Sequence, residues 1–152
     1  MRIAVSSDHR GFAAKERISV FLAENGHNVE DFGCPNPASC DYPDMGFVAA
    51  EHVAKGLADA GILICGTGIG MSITANKFPG IRAALVWDDF TAQMAKEHND
   101  ANILVLGGRI LSAEEACRLV GIWLDTAFAG GRHQGRLDKI VQIEEDVRQG
   151  RL

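Results

Sequence analysis

The chain has 152 residues, 47% of them apolar and 23% charged, with a net charge of −5. That length suits one domain over residues 1–152 with a sizeable buried core. The acidic total argues against a general nucleic-acid binder, and no apolar run reaches the roughly 18 residues of a membrane span.

Met1–Gly11 reads as a strand and turn, not a signal peptide. The four cysteines (Cys34, Cys40, Cys65 and Cys117) show no C-x-x-C pair and no zinc-ligand spacing. Reduced thiols in a cytoplasmic protein are the expectation. In chain order, Arg2–Ser6 reads as a strand, followed by the turn through Asp8-His9-Arg10-Gly11 and a helix over Phe12–Asn25 that stops at Gly26. A strand over His27–Phe32 leads into a Pro-containing loop, Gly33–Pro43, and a helix from Asp44 to Lys55. A strand over Gly61–Cys65 and a helix opening into Ser72–Lys77 come next. A strand over Arg82–Trp87 precedes a helix over Asp88–His98. A fifth strand, Asn102–Leu106, runs into Gly107-Gly108-Arg109. Ser112-Ala-Glu-Glu115 has the capping-box pattern and starts a helix to Thr126. A last helix spans Gln134–Arg148 and packs either across a neighbouring subunit or within its own chain. Strands alternate with helices throughout, which predicts an α/β, three-layer Rossmann-like fold with a five-stranded parallel sheet and a C-terminal helix.

The stretch Ala60–Lys77 organises the rest. Ile62, Leu63 and Ile64 form the continuous apolar run of a strand covered on both faces. Gly66, Gly68 and Gly70 then remove the side chains that would keep a ligand from the backbone. The turn opens into a helix, so its free N–H groups favour an anion or developing negative charge. Cys65 closes the strand at the edge of that donor array, and such an array favours the thiolate, the reactive form of a cysteine. In an open parallel sheet, ligands bind beyond the carboxyl ends of the strands. Asp8-His9, Cys65–Gly70 and Gly107–Arg109 all fall at that edge.

Other residues have both a structural and a chemical reading. Asp8 suits a helix cap, but capping does not call for the adjacent imidazole of His9. His98 closes a helix, where the dipole favours it. Tyr42 either caps a loop or lines the pocket. Arg132 and Arg136, four residues apart at a helix start, present two guanidiniums on one face and suit a phosphate dianion.

Taken together, Asp8-His9-Arg10-Gly11, Asp41-Tyr42-Pro43, Cys65-Gly-Thr-Gly-Ile-Gly70, Ala75-Asn76-Lys77, Glu97-His98-Asn99-Asp100, Gly107-Gly108-Arg109 and Gly131-Arg132-His133-Gln134 resemble the ribose-5-phosphate isomerase B / galactose-6-phosphate isomerase family. The motifs fall in family order over nearly the whole chain. The resemblance implies an aldose–ketose isomerase, most often of ribose 5-phosphate, that needs no metal or cofactor and works through an enediolate. It implies Cys65 as the base that moves the proton. Thr67 and the amides of Gly66, Gly68, Ile69 and Gly70 would hold the oxyanion. His98 would be the acid that opens the sugar ring, with Asp8 and His9 handling hydroxyls. Arg132 and Arg136 would grip the phosphate, with Arg109, Asn99 and His133 also in the binding set and Tyr42 at the pocket. It further implies a homodimer, or a tetramer built from dimers, with shared sites. Asp8 and Cys65 would come from one chain and His98, Asn99, Arg109, Arg132 and Arg136 from the other. One branch of the family has a glutamate base just after the glycine loop. Met71 stands there, so the chain resembles the cysteine-base branch.

Three alternatives stand beside this reading. One is isomerisation of another sugar phosphate: galactose 6-phosphate, allose 6-phosphate or a tetrulose phosphate. Another is a nucleotide-binding oxidoreductase domain, suggested by the glycine loop and by Asp88 or Asp89 about twenty residues on. The spacing, however, is G-x-G-x-G, and that reading leaves Asp8-His9 and the arginine pair unused. The third is a sugar-phosphate sensor without turnover, against which the presence of Cys65 argues.

Overall fold

The computed structural model describes all 152 residues. Five strands form one parallel sheet: β1 (Arg2–Ser7), β2 (Asn28–Asp31), β3 (Ala60–Cys65), β4 (Ala83–Leu85) and β5 (Ile103–Gly107). Their order is β2-β1-β3-β5-β4, and every neighbouring pair is parallel. The helices are α1 (Phe12–Glu24), α2 (Tyr42–Ala54), α3 (Ile69–Ala75), α4 (Asp89–Glu97), α5 (Ala113–Asp125) and α6 (Arg132–Arg148). The expected α/β architecture is therefore present, with the helices on both faces of the sheet.

The period-two alternation of strand side chains splits the core into two layers. On β3, Ile62 and Ile64 join Ile3, Val5, Leu104, Leu106, Ile18, Leu22 and Trp123 on the face covered by α1 and α5. Leu63 and Cys65 point the other way, among Ala49, Val53, Met71, Ile103 and Val105 under α2 and α3. All six residues of β3 are buried, which is why the strand reads as an unbroken apolar run. The same alternation puts the Cys65 sulfur on the α2/α3 side.

Helix ends follow from local side chains. Ser112 Oγ accepts the Glu115 amide at 3.2 Å and Glu115 returns the bond to the Ser112 amide at 2.8 Å, completing the expected capping box. These bonds hold the Glu115 carboxyl below its usual range. Asp88 and Thr91 make a second box at α4, which the sequence pattern did not announce because Thr replaces Glu or Gln. Helix α2 and strand β4 are among the elements that differ from expectation in extent. Helix α2 begins at Tyr42 because Pro43 fits a first helical turn, where its missing N–H costs nothing. Strand β4 is only three residues long: at its start the Arg82 amide donates to the Asn102 Oδ1 side-chain oxygen at 2.8 Å instead of to a neighbouring strand's carbonyl.

The cysteines depart from expectation as well: Cys34 is bonded to Cys40, while Cys65 and Cys117 are free. Five intervening residues let the loop after β2 fold back on itself, a closure that linear spacing does not reveal.

Truncating Ile62, wholly buried at the centre of the sheet, leaves a cavity on both strand neighbours. Ile62→Ala is expected to lower unfolding stability by about 2–5 kcal/mol, read from urea melts.

Candidate functional site

The turn after β3 builds the site. Gly68 takes φ +82°, and a Cβ there would lie 2.4 Å from Leu85 Cδ1 and 3.1 Å from the Leu106 carbonyl oxygen. A side chain at this position meets both a wrong dihedral and occupied space. The Gly68 amide donates to the Cys65 sulfur at 3.2 Å, and the Ile69 amide to Thr67 Oγ1 at 3.3 Å. The amides of Gly66, Thr67 and Gly70 have no partner within the chain. Helix α3 starts at Ile69, three residues earlier than the Ser72 start expected from sequence. Ile69 and Gly70 therefore form its first turn, so one amide of the turn bonds the sulfur and its neighbours at Gly66, Thr67 and Gly70 are unpartnered.

A cleft of about 530 Å³ opens over this turn. Its walls include Asp8, His9, Tyr42, Cys65, Gly66, Thr67, Ile69, Gly70 and Arg109, all singled out from sequence. Strands β1, β3 and β5 are adjacent in the sheet, so the loops that follow them meet at one edge. Asp8 Oδ1 accepts the amides of Arg10 and Gly11 at 2.9 and 3.0 Å. Asp8 therefore does not cap α1, whose N-cap is Gly11 without a side-chain bond; Oδ1 braces the turn that precedes the helix, and the residue lines the cleft. His9 Nδ1 meets the Cys40 backbone, accepting its amide at 3.3 Å, so the ring is oriented from behind. The Tyr42 ring lies where a Gly70 side chain would be, 2.4 Å from the ideal Cβ position. Of its two readings, the wall of the pocket is the one realised.

Arg10 also lines the cleft, and its stem and that of Arg109 flank Gly66, with Cδ atoms 3.3 and 3.7 Å from where a Cβ would sit. Arg10, Ser39, Cys40, Asp41 and Ile73 were not among the expected site residues. For Arg10 the available signal was its place directly after Asp8-His9. For Ser39 to Asp41 nothing local marks a loop that folds over the cleft. Met71 is fully buried against the α2 helix and lines no part of the cleft.

The remaining expected residues lie elsewhere. Helix α4 runs back from the carboxyl edge of the sheet, so His98 and Asn99 emerge at the amino edge. The Arg82 bond to the Asn99 carbonyl fixes them beside the start of β4. The six residues of β3 put this edge roughly 15–20 Å from the cleft. Arg132, His133 and Arg136 open α6 at the same edge. The His98 and His133 rings stack with centroids 4.1 Å apart and planes 13° off parallel. The Ala129 amide donates to the Glu97 carbonyl, tying this segment to α4. Arg132 and Arg136 are exposed and form no ion pair within the chain, whereas His133 is buried. Arg109, expected with this second group, belongs to the Cys65 cleft of its own chain. It follows β5, whose end lies beside that of β3, and its amide donates to the Gly66 carbonyl at 2.9 Å.

A family model for Ribose/Galactose Isomerase matches residues 3–140. The chain belongs to that family. It is 44% identical over 144 residues to the ribose-5-phosphate isomerase B of Escherichia coli K12, covering 95% of this chain and 97% of the relative. The ribose-5-phosphate isomerase B of Clostridium thermocellum superposes with a TM-score of 0.95 at 49% identity, over 97% of this chain and 99% of the other. A Mycoplasma genitalium ribose-5-phosphate isomerase B, solved with bound ribulose-5-phosphate, gives a TM-score of 0.92 at 43% identity, over 95% and 97%. Within this Ribose/Galactose Isomerase chain, the two groups of polar residues are therefore carried on opposite edges of one sheet.

His133 supplies a pH handle on the second group. Burial, together with His98, Arg132 and Arg136, pushes its imidazole below the ordinary value of 6.5, with Glu97 opposing. The unfolded chain therefore binds the proton more tightly than the folded one, and stability falls as pH drops through 6.5 toward the folded value. His133→Asn is expected to flatten this acid loss, seen as a smaller shift in the urea midpoint between about pH 7.5 and about pH 5.5.

Proposed function

We propose that this chain interconverts ribose 5-phosphate and ribulose 5-phosphate. The observation that carries the proposal is the Cys65 sulfur at a turn whose Gly66, Thr67 and Gly70 amides are unpartnered, in a cleft that also holds Asp8, His9 and Arg109. Membership of the isomerase family and a relative solved with ribulose-5-phosphate support it.

In the proposed reaction the Cys65 thiolate removes the proton from C2 of the open-chain aldose. The electrons move onto the carbonyl oxygen, and the enediolate so formed is held by the Gly66, Thr67 and Gly70 amides, with the Thr67 hydroxyl alongside. Donors fixed before the charge appears need no reorganisation in the transition state. The same sulfur returns the proton to C1, while the hydroxyl proton passes from O2 to O1 with Asp8 as relay. His9 binds the ring oxygens and Tyr42 bounds the sugar. Ring opening, which precedes these steps, takes a proton from His98.

His98 lies too far from the Cys65 of its own chain to reach the same five-carbon sugar. We therefore place it, with Asn99, Arg132, His133 and Arg136, over the cleft of a second copy, as a homodimer in which each site draws on both chains. Large apolar side chains exposed at the cleft, Ile69 and Ile73, with Phe47 lining the adjoining groove that shares Ile73, support a covered surface there. The arginine pair would hold the phosphate by charge-assisted, bidentate bonds, so that binding energy far from C1 and C2 orients the reacting carbons. A cytoplasmic site of action belongs to the same proposal and rests on the substrate, whose charged phosphate keeps it from crossing membranes.

Cys65→Ala and His98→Asn are each expected to lower kcat by about 10³-fold, the contribution of a positioned acid or base. Unfolded together and refolded as a mixture, the two inactive variants should recover about a quarter of wild-type activity, because a mixed dimer carries one intact site. No recovery would reject the shared site. Replacing both Arg132 and Arg136 by Ala should raise KM for ribose 5-phosphate by about a hundredfold, with a smaller change for unphosphorylated ribose.

A further inference from the structure

The loop between β2 and α2 holds the one disulfide of the chain, and its Cys40 end lines the wall of the cleft. Its two ends differ. Cys34 is 1% exposed and anchored: its amide donates to the Ser7 carbonyl at 2.9 Å, and the wholly buried Lys15 ammonium donates to its carbonyl at 3.1 Å. Lys15 is itself fixed by Asp31 and Glu16. Cys40 is partly exposed, lines the cleft, and presents its backbone to His9 Nδ1. Between them, Pro35–Ser39 is exposed and makes no hydrogen bond to the rest of the protein; its single bond, Ala38 amide to Asn36, is internal. Apart from the 3.3 Å contact with His9, the Cys34–Cys40 bond is what ties the cleft end of this loop to the core.

We propose that Cys34 and Cys40 form a reversible thiol–disulfide site that sets the shape of the cleft through His9 and Tyr42. The redox partner is a low-molecular-weight thiol and its disulfide. A thiolate RS⁻ attacks the accessible Cys40 sulfur, the bond to Cys34 breaks, and Cys34 leaves as a thiolate and takes a proton. A second RS⁻ attacks the mixed disulfide, RSSR forms, and Cys40 is released as the thiol. The reverse sequence oxidises the two protein thiols and reduces RSSR to two RSH. An accessible disulfide over a short loop belongs to the labile class, unlike the buried bridges that only stabilise. In the oxidised form the loop is held against His9. In the reduced form Ser39 to Asp41 keep only their chain ends and the 3.3 Å contact with His9, and ligand binding has to order them.

The test needs no knowledge of the physiological thiol. The full-length protein is treated with dithiothreitol or with oxidised glutathione, free thiols are alkylated, and a tryptic digest is weighed. Cys34 and Cys40 share the peptide Ile18–Lys55, whereas Cys65 falls in Gly56–Lys77, so each is read separately. The oxidised sample should give Ile18–Lys55 without alkyl groups and two hydrogens lighter; the reduced sample should carry two alkyl groups. Ribose 5-phosphate should slow reduction by dithiothreitol, because it covers Cys40. Reduction should raise KM by about fivefold with kcat little changed, the signature of a loop that must be ordered on binding. Cys34→Ser should show the reduced KM in both treatments, with Cys40→Ser as the second variant should the first fail to fold. Two alkyl groups after glutathione treatment would overturn the proposal, as would an intact disulfide that changes neither KM nor the response to sugar phosphate. The KM arm rests on the proposed function; the mass arm does not, so a disulfide in a protein without isomerase activity would reject that function and leave the redox site standing.

Discussion

At Gly68 the backbone turns through φ +82°, and the space a side chain would need is already filled by Leu85 and the Leu106 carbonyl. This turn follows the buried strand end directly, so the Gly68 amide bonds the Cys65 sulfur and the neighbouring amides stay unpartnered at the cleft. Two requirements meet in it. The chain must reverse within three residues to start α3, and a ligand must approach the peptide closely enough to use its amides. A left-handed glycine meets the first, and the absence of Cβ atoms at Gly66 and Gly70 meets the second. The Tyr42 ring takes the space beside Gly70 and so closes one side of the cleft.

The parallel sheet decides what can be placed around that turn. With β1, β3 and β5 side by side, Asp8, Cys65 and Arg109 reach one point although about a hundred residues separate the first from the last. The same geometry sends each helix that leads to a further strand back toward the opposite edge. His98 and the arginines of α6 are stranded there, in a stacked imidazole cluster tied to the start of β4. A single copy thus displays two half-sets of groups facing away from each other. The proposed dimer is the arrangement in which one copy's cleft meets the other copy's cluster, and the exposed apolar rim of the cleft is the surface such a contact would bury.

Much of this was legible in the linear pattern. The alternation of apolar runs with amphipathic segments announced the α/β architecture, and the Ser112–Glu115 box marked a helix start that the structure keeps. The glycine loop pointed to a ligand site at a strand end. What escaped has specific causes. Helix α3 starts earlier than read because Gly68, in a left-handed conformation, caps it, and propensity scales place glycine outside helices. The reading of strand ends placed Arg109 at the same edge as Cys65, whereas the family resemblance grouped it with His98 and the α6 arginines; the strand order puts it in the Cys65 cleft. The Cys34–Cys40 pairing depends on how a loop without regular structure folds back, and spacing carries no record of that.

The amino-acid sequence alone determined which segments are strands and helices, which strand is buried on both faces, and which residues are chemically equipped for proton transfer and phosphate binding. These follow from interactions within a few residues: apolar period, capping side chains and glycine freedom. Tertiary structure alone decided which of the equipped residues share a cleft, that the Tyr42 ring forms its wall, that two cysteines are joined beside it, and that His98 lies at the far edge of the sheet. Those outcomes depend on strand order and on the direction in which each helix returns, properties of the packed chain that no local stretch contains.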